Sequence, residues 1–288
     1  MALDESATIS ERIRLGLGRL TPTERKVAHI LLANYPVAGL ETVSEFACRA
    51  QVSAPTVLRF VSRLDFASYP DFQRALRSEL EQQVQSPLVK ARFSLESATP
   101  TEQLLKRFHQ SLADNLDKTF RSVPSAEFDA VVDIFSDHRR KVLTIGGRFS
   151  DALALYLSFH LRIIRPSVSH IAGQGANWRD HLLDLGERDF LVIFDIRRYT
   201  QDLAELAAIA SARRVGIVLF TDQWLSPIAQ KASHILAAHV PVPSRWDSTV
   251  ALLALVEAVV ASTTERLWST AEGRLAALET MRDVPHSG

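Results

Sequence analysis

The sequence feature that most constrains the fold is an alternation, beginning at Lys141, of short apolar runs with longer stretches of helical periodicity. The apolar runs are "KVLTI", "SVSHIA", "FLVIFD", "RVGIVLFT" and "HILAAHV". The helical stretches after them are "SDALALYLSFHLRII", "NWRDHLLDL", "QDLAELAAIASA", "SPIAQKA" and a long helix from about Asp247. Apolar strands that each lead into a crossover helix are typical of a parallel sheet covered on both faces. Residues 126–288 are therefore predicted to form an α/β domain with a doubly wound parallel sheet.

The first eighty or so residues predict helices only. The stretch "TPTERKVAHILLANY" begins with Thr21 in the N-cap position and Glu24 three residues later, which is the capping-box spacing. We predict an all-α domain over residues 1–85. Residues 86–125 are predicted to hold a linker, in the polar stretch "QSPLVKARFSLESATPT", and connecting helices.

The segment "TVSEFACRAQVSAPTVLRFVSRL" has the pattern of a helix-turn-helix. Its first helix has one apolar face, formed by Phe46, Ala47 and Ala50. The short link "AQVS" holds Val52, which can fill the angle between the helices, and Ser53 is predicted to cap the second helix. The second helix is predicted to face the core with Val57, Val61 and Leu64, and to carry Phe60 at the edge.

The outer surface of this second helix is a candidate DNA-binding surface. Its residues are Ser53, Ala54, Pro55, Thr56, Arg59 and Arg63. Small side chains at the N-terminal end let a helix enter the major groove, and arginines reach base edges or phosphates. The whole chain is neutral, with 33 Lys plus Arg and 33 Asp plus Glu, so DNA contact requires a local basic patch of this kind. A structural three-helix bundle with an ordinary charged surface is the alternative.

The single cysteine and the apolar stretches bear on the compartment. Cys48 excludes an intrachain disulfide, suits a reducing cytoplasm, and is predicted to be a small core residue. The N-terminal stretch lacks the apolar segment of a signal peptide. The most apolar late stretch, "TVALLALVEAVVAS", is too short to span a bilayer and carries Glu257. We therefore expect a cytoplasmic protein with no membrane partner.

Residues 20–80 resemble the helix-turn-helix domain of RpiR-type bacterial transcriptional regulators. The resemblance rests on "LTPTE", "VSAPTVLRFVSRLDF" and "SYPDF". Asp65 stands where the family usually has glycine, at a site that favours left-handed backbone; Asp tolerates that conformation better than most residues. The resemblance implies binding to a double-stranded DNA operator.

Two loops that follow predicted strands are candidates for ligand binding, because ligands of open α/β sheets lie beyond the carboxyl ends of the strands. The first loop, "IGGRFSDALA", offers Gly146 and Gly147 for a close approach, Arg148 for charge and Ser150 for a hydroxyl. A merely tight turn explains its glycines equally well. The second loop is "DIRRYT", residues 195–200.

Residues 141–268 resemble a sugar isomerase (SIS) domain, the usual partner of an RpiR-type head, and "TDQWLSPIAQKA" matches a late segment of that family. The resemblance implies binding of a phosphorylated sugar by a serine of the first loop and by a second loop of the form Ser-x-Ser-Gly-x-Thr. Ser150 and Thr200 match these positions. Asp195, Arg197 and Arg198 depart from the pattern, which leaves the identity of the ligand open.

Arginines in place of hydroxyls favour an anion held by bidentate bonds. The candidate effector-binding residues are Gly146, Gly147, Arg148, Ser150, Arg197, Arg198, Tyr199 and Thr200, with Trp178 and Trp246 as further rings that can stack on a sugar. In the alternative, the two arginines of the second loop pair with Asp195, Asp202 or another subunit and bind no ligand.

Two function classes fit these domains. A DNA-binding regulator that senses a small anionic sugar derivative needs both domains, whereas a phosphosugar isomerase or lyase needs only the second. His181, Glu187 and Glu257 are candidate bases for an isomerase, but none lies in a recognisable motif. The scattered histidines predict no metal site and no cofactor is implied. We therefore expect a regulator and not an enzyme, assembled as a homodimer or homotetramer because a helix-turn-helix usually reads a two-fold operator.

Overall fold

The computed structural model describes residues 8–84, 101–172 and 176–282. The chain divides into two compact units. The first contains Met1–Pro124, Asp222–Gln230 and Ala237–Ser248, and the second contains Ser125–Thr221, Lys231–Leu236 and Thr249–Gly288. Most of the predicted interdomain linker, residues 85–100, lies outside the described residues. The domain boundaries drawn from the sequence at 85 and 125 remain a prediction.

The first unit contains six of the described α-helices: α1 (Ile9–Gly16), α2 (Pro22–Ala33), α3 (Val43–Ala50), α4 (Ala54–Arg63), α5 (Tyr69–Val84) and α6 (Thr101–Ser122). The first three begin with capping boxes, each a threonine at the N-cap and a glutamate three residues later. In α2 these residues are Thr21 and Glu24, as the sequence predicts. Each box satisfies two backbone N–H groups that a helix start leaves without partners.

The core of the first unit brings α1 to α5 together around buried aromatic and aliphatic side chains. The fully buried members include Ile13, Val27, Leu31, Phe46, Val57, Phe60, Phe72 and Leu76. Phe60, predicted at the edge of α4, is completely buried. Val52 packs against this cluster from the turn between α3 and α4, which confirms its predicted place.

The helix-turn-helix geometry depends on two residues in left-handed backbone. Gln51 ends α3 with φ 53°, and the N–H of Val52 then reaches the carbonyl of Ala47 at 3.0 Å. Asp65 follows α4 with φ 65°, and the N–H of Phe66 reaches the carbonyl of Val61 at 3.4 Å. Both ends have the hydrogen bonds of a Schellman motif, which usually has glycine at the left-handed position. The conformation expected at Asp65 is confirmed.

The second unit is built on a five-stranded sheet in the order β2-β1-β3-β4-β5. The strands are β1 (Val142–Gly146), β2 (Val168–His170), β3 (Phe190–Asp195), β4 (Gly216–Asp222) and β5 (His234–Ala238). The pairs β1–β2, β1–β3 and β3–β4 are parallel. The helices are α7 (Ser125–Ser136), α8 (Asp151–Ile164), α9 (Gln201–Ala212), α10 (Val250–Arg266) and α11 (Trp268–Arg282). This confirms the predicted doubly wound α/β fold after an all-helical N-terminal region.

The structure differs from the sequence-based expectations at three places. The stretches at 176–184 and 227–230 form 3-10 helices and not α-helices. Cys48 is exposed, because α3 buries Phe46, Ala47 and Ala50 and turns the cysteine away from them.

No helix among the described residues is long and apolar enough to cross a membrane.

Candidate DNA interface and ligand crevice

Helix α4 has the two faces that a recognition helix requires. Val57, Phe60 and Val61 are buried and fix the helix on the core of the first unit. The predicted DNA-binding residues that are exposed are Ser53, Pro55, Arg59 and Arg63, and Ala54 is half-buried. The exposed side also carries Leu58, which is not among the predicted DNA-binding residues.

Thr56 does not lie on the outer surface, so this part of the prediction is wrong. Its side chain is only 5% exposed, because position 56 turns toward the core beside Val57 and Phe60. The Thr56 hydroxyl lies 2.9 Å from the Ser53 hydroxyl and accepts an N–H of Arg59 at 3.1 Å. Ser53 occupies the N-cap position, but its side chain makes no capping bond to the backbone. Thr56 therefore positions two exposed neighbours.

Arg63 is held by a carboxylate from α2. Its Nε lies 2.7 Å from Oε1 of Glu24, which is 2% exposed, while the arginine side chain is 49% exposed. Burial alone raises the pKa of Glu24, but bonds from Thr21 and Arg63 outweigh it and lower the pKa below its usual value. Glu24 thus both closes the capping box of α2 and orients Arg63.

The two candidate ligand loops meet at the topological switch point of the sheet. In the order β2-β1-β3-β4-β5, the chain leaves β1 toward one edge and β3 toward the other. Crevices at such points, outside the carboxyl ends of the strands, are where open α/β sheets bind ligands. The loop after β1 holds the residues from Gly147 to Ser150, and the loop after β3 runs from Ile196 to Thr200.

Hydrogen bonds tie the first loop to β3, next to the start of the second loop. The Ser150 hydroxyl donates to the carbonyl of Phe194 at 2.6 Å and accepts the N–H of Gly147 at 2.9 Å. A Cβ atom at Gly147 would lie 3.3 Å from Oγ1 of Thr200 and 3.4 Å from Oγ of Ser150. The structure therefore brings Gly147, Ser150 and Thr200 together. Ser150 is 5% exposed, with its hydroxyl bonded to protein atoms.

A buried carboxylate occupies the start of the second loop. Asp195 is 2% exposed; its Oδ1 accepts the N–H of Thr200 at 3.3 Å, and its carbonyl accepts the Thr221 hydroxyl at 2.7 Å. Because Thr200 precedes the first turn of α9, Asp195 places a negative charge where the helix dipole favours an anion. Asp195 thus puts a carboxylate where the Ser-x-Ser-Gly-x-Thr loop has a serine hydroxyl.

The arginines of the second loop have unusual backbone. Arg197 and Arg198 are consecutive residues with φ 35° and 53°, in the left-handed region that non-glycine residues seldom adopt. Arg198 is exposed and Arg197 is half-buried, as are Tyr199 and Thr200. Arg148, on the other loop, is exposed and its guanidinium lies 5.2 Å from the ring centroid of Phe149. Each loop therefore presents arginine near the switch point.

A polar network that the sequence did not predict lies beneath the first loop. Oδ1 of Asp151 accepts the N–H of Gly146 at 3.0 Å, and its Oδ2 lies 3.4 Å from Nε2 of His170. Nδ1 of the same histidine is 3.0 Å from the hydroxyl of Thr144, its register partner across β1 and β2. An aspartate at the first position of α8 was a visible signal, but the histidine depends on strand register.

Two of the three candidate isomerase bases, Glu187 and Glu257, are bonded to other side chains. Glu187 precedes β3, at the amino ends of the strands, and pairs there with Arg214 at 3.0 Å. Glu257 on α10 accepts the hydroxyl of Tyr156 at 3.1 Å. Trp178 is 6% exposed, which closes its ring faces to stacking, and Trp246 belongs to the first unit. Among residues 8–84, 101–172 and 176–282, no cluster of metal-ligating side chains occurs.

Both the helical region and the α/β region of the chain match known protein families. Residues 7–83 match the rpiR-family helix-turn-helix domain, and residues 134–262 match the SIS domain. The chain is 25% identical over 236 residues to the HTH-type transcriptional regulator HexR of Escherichia coli K12, which covers 80% of this chain and 78% of HexR.

Two solved structures have the same fold. The sugar isomerase domain of an RpiR transcription factor from Sphaerobacter thermophilus has TM-score 0.58 and 24% identity, over 62% of this chain and 99% of that one. The Vibrio vulnificus NanR protein, complexed with ManNAc-6P, has TM-score 0.53 and 19% identity, over 96% of this chain and 99% of NanR. With a helix-turn-helix domain of this family followed by an SIS domain, the chain belongs to the RpiR-type transcriptional regulators.

Proposed function

We propose that this regulator binds operator DNA through α4 and senses a small anionic sugar derivative, a sugar phosphate or a sugar acid, in the crevice between the loops after β1 and β3. The observation that carries the ligand proposal is the meeting of Gly147, Ser150 and Thr200 at the switch point, on loops that carry three arginines. The regulator works in the cytoplasm as a homodimer or homotetramer and is not an enzyme.

The charges of the crevice favour recognition by side chains. The N–H groups of Gly146 and Thr200, which a bound anion would otherwise use, already bond to Asp151 and Asp195. An anionic ligand then depends on arginine guanidinium groups, which bind carboxylates and phosphates bidentately. The ManNAc-6P complex of NanR supports the sugar-phosphate class.

The isomerase or lyase alternative has less support. Aldose–ketose isomerisation needs a general base beside the substrate carbon. Glu187 lies at the opposite ends of the strands from the crevice, and Glu257 accepts a bond from Tyr156. The curated relatives matched by the chain are named transcriptional regulators.

The DNA half of the proposal is tested with Arg59→Ala and Arg63→Ala, measured at fixed salt on a duplex that the wild-type protein selects from a random pool. Each variant should lose about 1–3 kcal/mol of specific binding if its arginine reads a base. Arg121→Ala is the matched control, since this arginine is exposed on α6 and pairs there with Asp117. Unchanged affinity in both α4 variants would exclude this helix from the groove.

The ligand half is tested by a thermal-shift screen of sugar phosphates and sugar acids, because a ligand that binds only the native state raises Tm. A compound that shifts Tm is then titrated calorimetrically into wild type and the double variant Arg197→Ser, Arg198→Gly. Affinity should fall roughly tenfold to a hundredfold as charge-assisted contacts are lost. Arg214→Ala is the control, since it pairs with Glu187 at the amino ends of the strands. Equal affinities would make the two arginines structural.

A further inference from the structure

We infer that helix α1 relays the state of the ligand crevice to the recognition helix, through buried contacts with the segments that follow β4 and β5. The inference rests on the proposed function, because it assumes that the crevice binds an effector. Every contact in it lies within one of the two units. The chain itself connects the units between Thr221 and Asp222, and again between Leu236 and Ala237.

The first step leads from the crevice to the end of β4. The Thr221 hydroxyl, completely buried, donates to the carbonyl of Asp195 at 2.7 Å. Asp195 is the residue whose carboxylate also accepts the N–H of Thr200 in the second ligand loop. A ligand that moves this loop therefore also moves Thr221, near the end of β4. Gln223 follows Thr221 by two residues.

The second step joins Gln223 to α1 and to the segment after β5. The carbonyl of Gln223 accepts the hydroxyl of Ser10 at 3.2 Å, and its side-chain Oε1 accepts the N–H of Val240 at 3.1 Å. Next to Val240, Nε2 of His239 lies 2.8 Å from Oε1 of Glu11. The His239 and Glu11 side chains are 7% and 1% exposed, so this pair is desolvated.

A desolvated pair of this kind holds α1 and the segment after β5 together. Separating it would leave a charge buried without its partner, which costs far more than separating an exposed pair. Although burial raises the pKa of Glu11, the bond and charge of His239 and the N–H of Thr8 outweigh it and lower the pKa. The carboxylate is therefore ionised, and a shift of the segment after β5 moves α1 more readily than it breaks the pair.

The last step connects α1 to the recognition helix. A guanidinium N–H of Arg12 donates to the carbonyl of Leu64, the C-cap of α4, at 3.3 Å. The same guanidinium lies 5.4 Å from the ring centroid of Phe66. Ile9 and Ile13 of α1 are buried in the core that also holds α4. A movement of α1 is thus transmitted to the C-terminal end of α4, the helix that is proposed to enter the groove.

The test compares full-length wild type with the charge-neutral double variant Glu11→Gln, His239→Gln. The matched control, Glu127→Gln with His234→Gln, removes a Glu–His pair at 3.2 Å in the second unit that does not involve α1. Operator affinity is measured with and without the compound found in the thermal-shift screen. In wild type and control, the compound should change operator affinity by about fivefold or more, the usual range of allosteric coupling.

In the Glu11, His239 variant this ratio should fall close to one, while the calorimetric affinity for the compound alone is unchanged. Ser10→Ala should reduce the ratio in the same direction, and it serves if the double variant does not fold. A ratio equal to that of wild type in these variants would overturn the relay.

A second arm separates failure of the relay from failure of the proposed function. If no compound alters operator binding by wild type, the proposed effector class is wrong, and the relay is tested without a ligand. Thr221→Val then perturbs the crevice, and amide exchange at Asp65 and Phe66, the end of α4, is the readout. Exchange should rise about threefold or more in the wild-type background and not in the Glu11, His239 variant. Equal increases in both backgrounds, or none in either, would refute the relay.

Discussion

Glu79 of α5 should make the stability of the first unit fall as pH rises from about 4.5 to about 7. Burial is the main cause that raises the pKa of this carboxyl from 4.5 to about 7, and nearby Glu11 adds to it. The hydroxyl of Tyr35 and the N–H of Ile9, which both donate to Glu79, act in the opposite direction. The folded carboxyl therefore binds its proton more tightly than the unfolded one.

The sign and size of the effect follow from proton linkage. Between the two pKa values the folded chain holds more protons than the unfolded chain, so each rise in pH favours unfolding. The contribution of Glu79 is complete below about pH 4.5 and lost above about pH 7. One pKa unit corresponds to about 1.4 kcal/mol, so a shift from 4.5 to about 7 amounts to at most about 3.5 kcal/mol.

Glu79→Gln should flatten this part of the pH profile, because the amide does not titrate. Its oxygen can still accept the N–H of Ile9, and its NH2 group can donate to the hydroxyl oxygen of Tyr35. The measurement is urea unfolding of the full chain between pH 4.5 and 8, with pulse-labelled amides of α1 and α5 reporting on the first unit. Glu81→Gln is the control, since it removes an exposed carboxylate from the same helix. Parallel profiles for wild type and Glu79→Gln would refute the reasoning.

Three further predictions concern the second unit and the assembly. Gly146→Ala should lower Tm by several degrees, because its Cβ would lie 2.5 Å from the backbone of Asp151, whereas Gly147→Ala should fold and weaken ligand binding by crowding Thr200. Calorimetric melting and ligand titration of the two variants decide this, and the reverse pattern would contradict it. Arg165→Met should cost about 3 kcal/mol in urea unfolding, since this completely buried arginine donates to carbonyls of α7 and its following turn; an unchanged midpoint would exclude that role. Sedimentation of the full chain at micromolar concentration should show a dimer or larger species, and a clean monomer would contradict the two-fold operator geometry.

The sequence predicted the elements that depend on local pattern. Apolar runs followed by helical stretches located all five strands, and the threonine–glutamate spacing located the start of α2. The predicted loops also lie side by side at the switch point, because the carboxyl ends of β1 and β3 are neighbours in the sheet. Patterns of this kind depend on residues that are close in the chain.

The features that the sequence did not predict depend on neighbours that are distant in the chain. Thr56 and Cys48 lie on helices whose orientation is set by the packing of the other helices, so small side chains at the margin of a face were misplaced. The Asp151–His170 contact needed the register of β1 with β2. The Glu24–Arg63 pair joins residues 39 positions apart, and no helical period indicates it.

The Ser10–Gln223 bond has a consequence for synthesis of the chain. The partners are separated by 213 residues, and the first unit is completed by Asp222–Gln230 and Ala237–Ser248. At about 5–20 residues per second, synthesis of the chain from the end of α5 at Val84 to Asp222 takes roughly seven to thirty seconds. During that interval Glu11 has no His239 to pair with. The first unit is therefore incomplete until the strands of the sheet have been translated. In chains stalled on the ribosome before residue 222, the helix-turn-helix region should be cleaved by proteases more readily than in the finished protein.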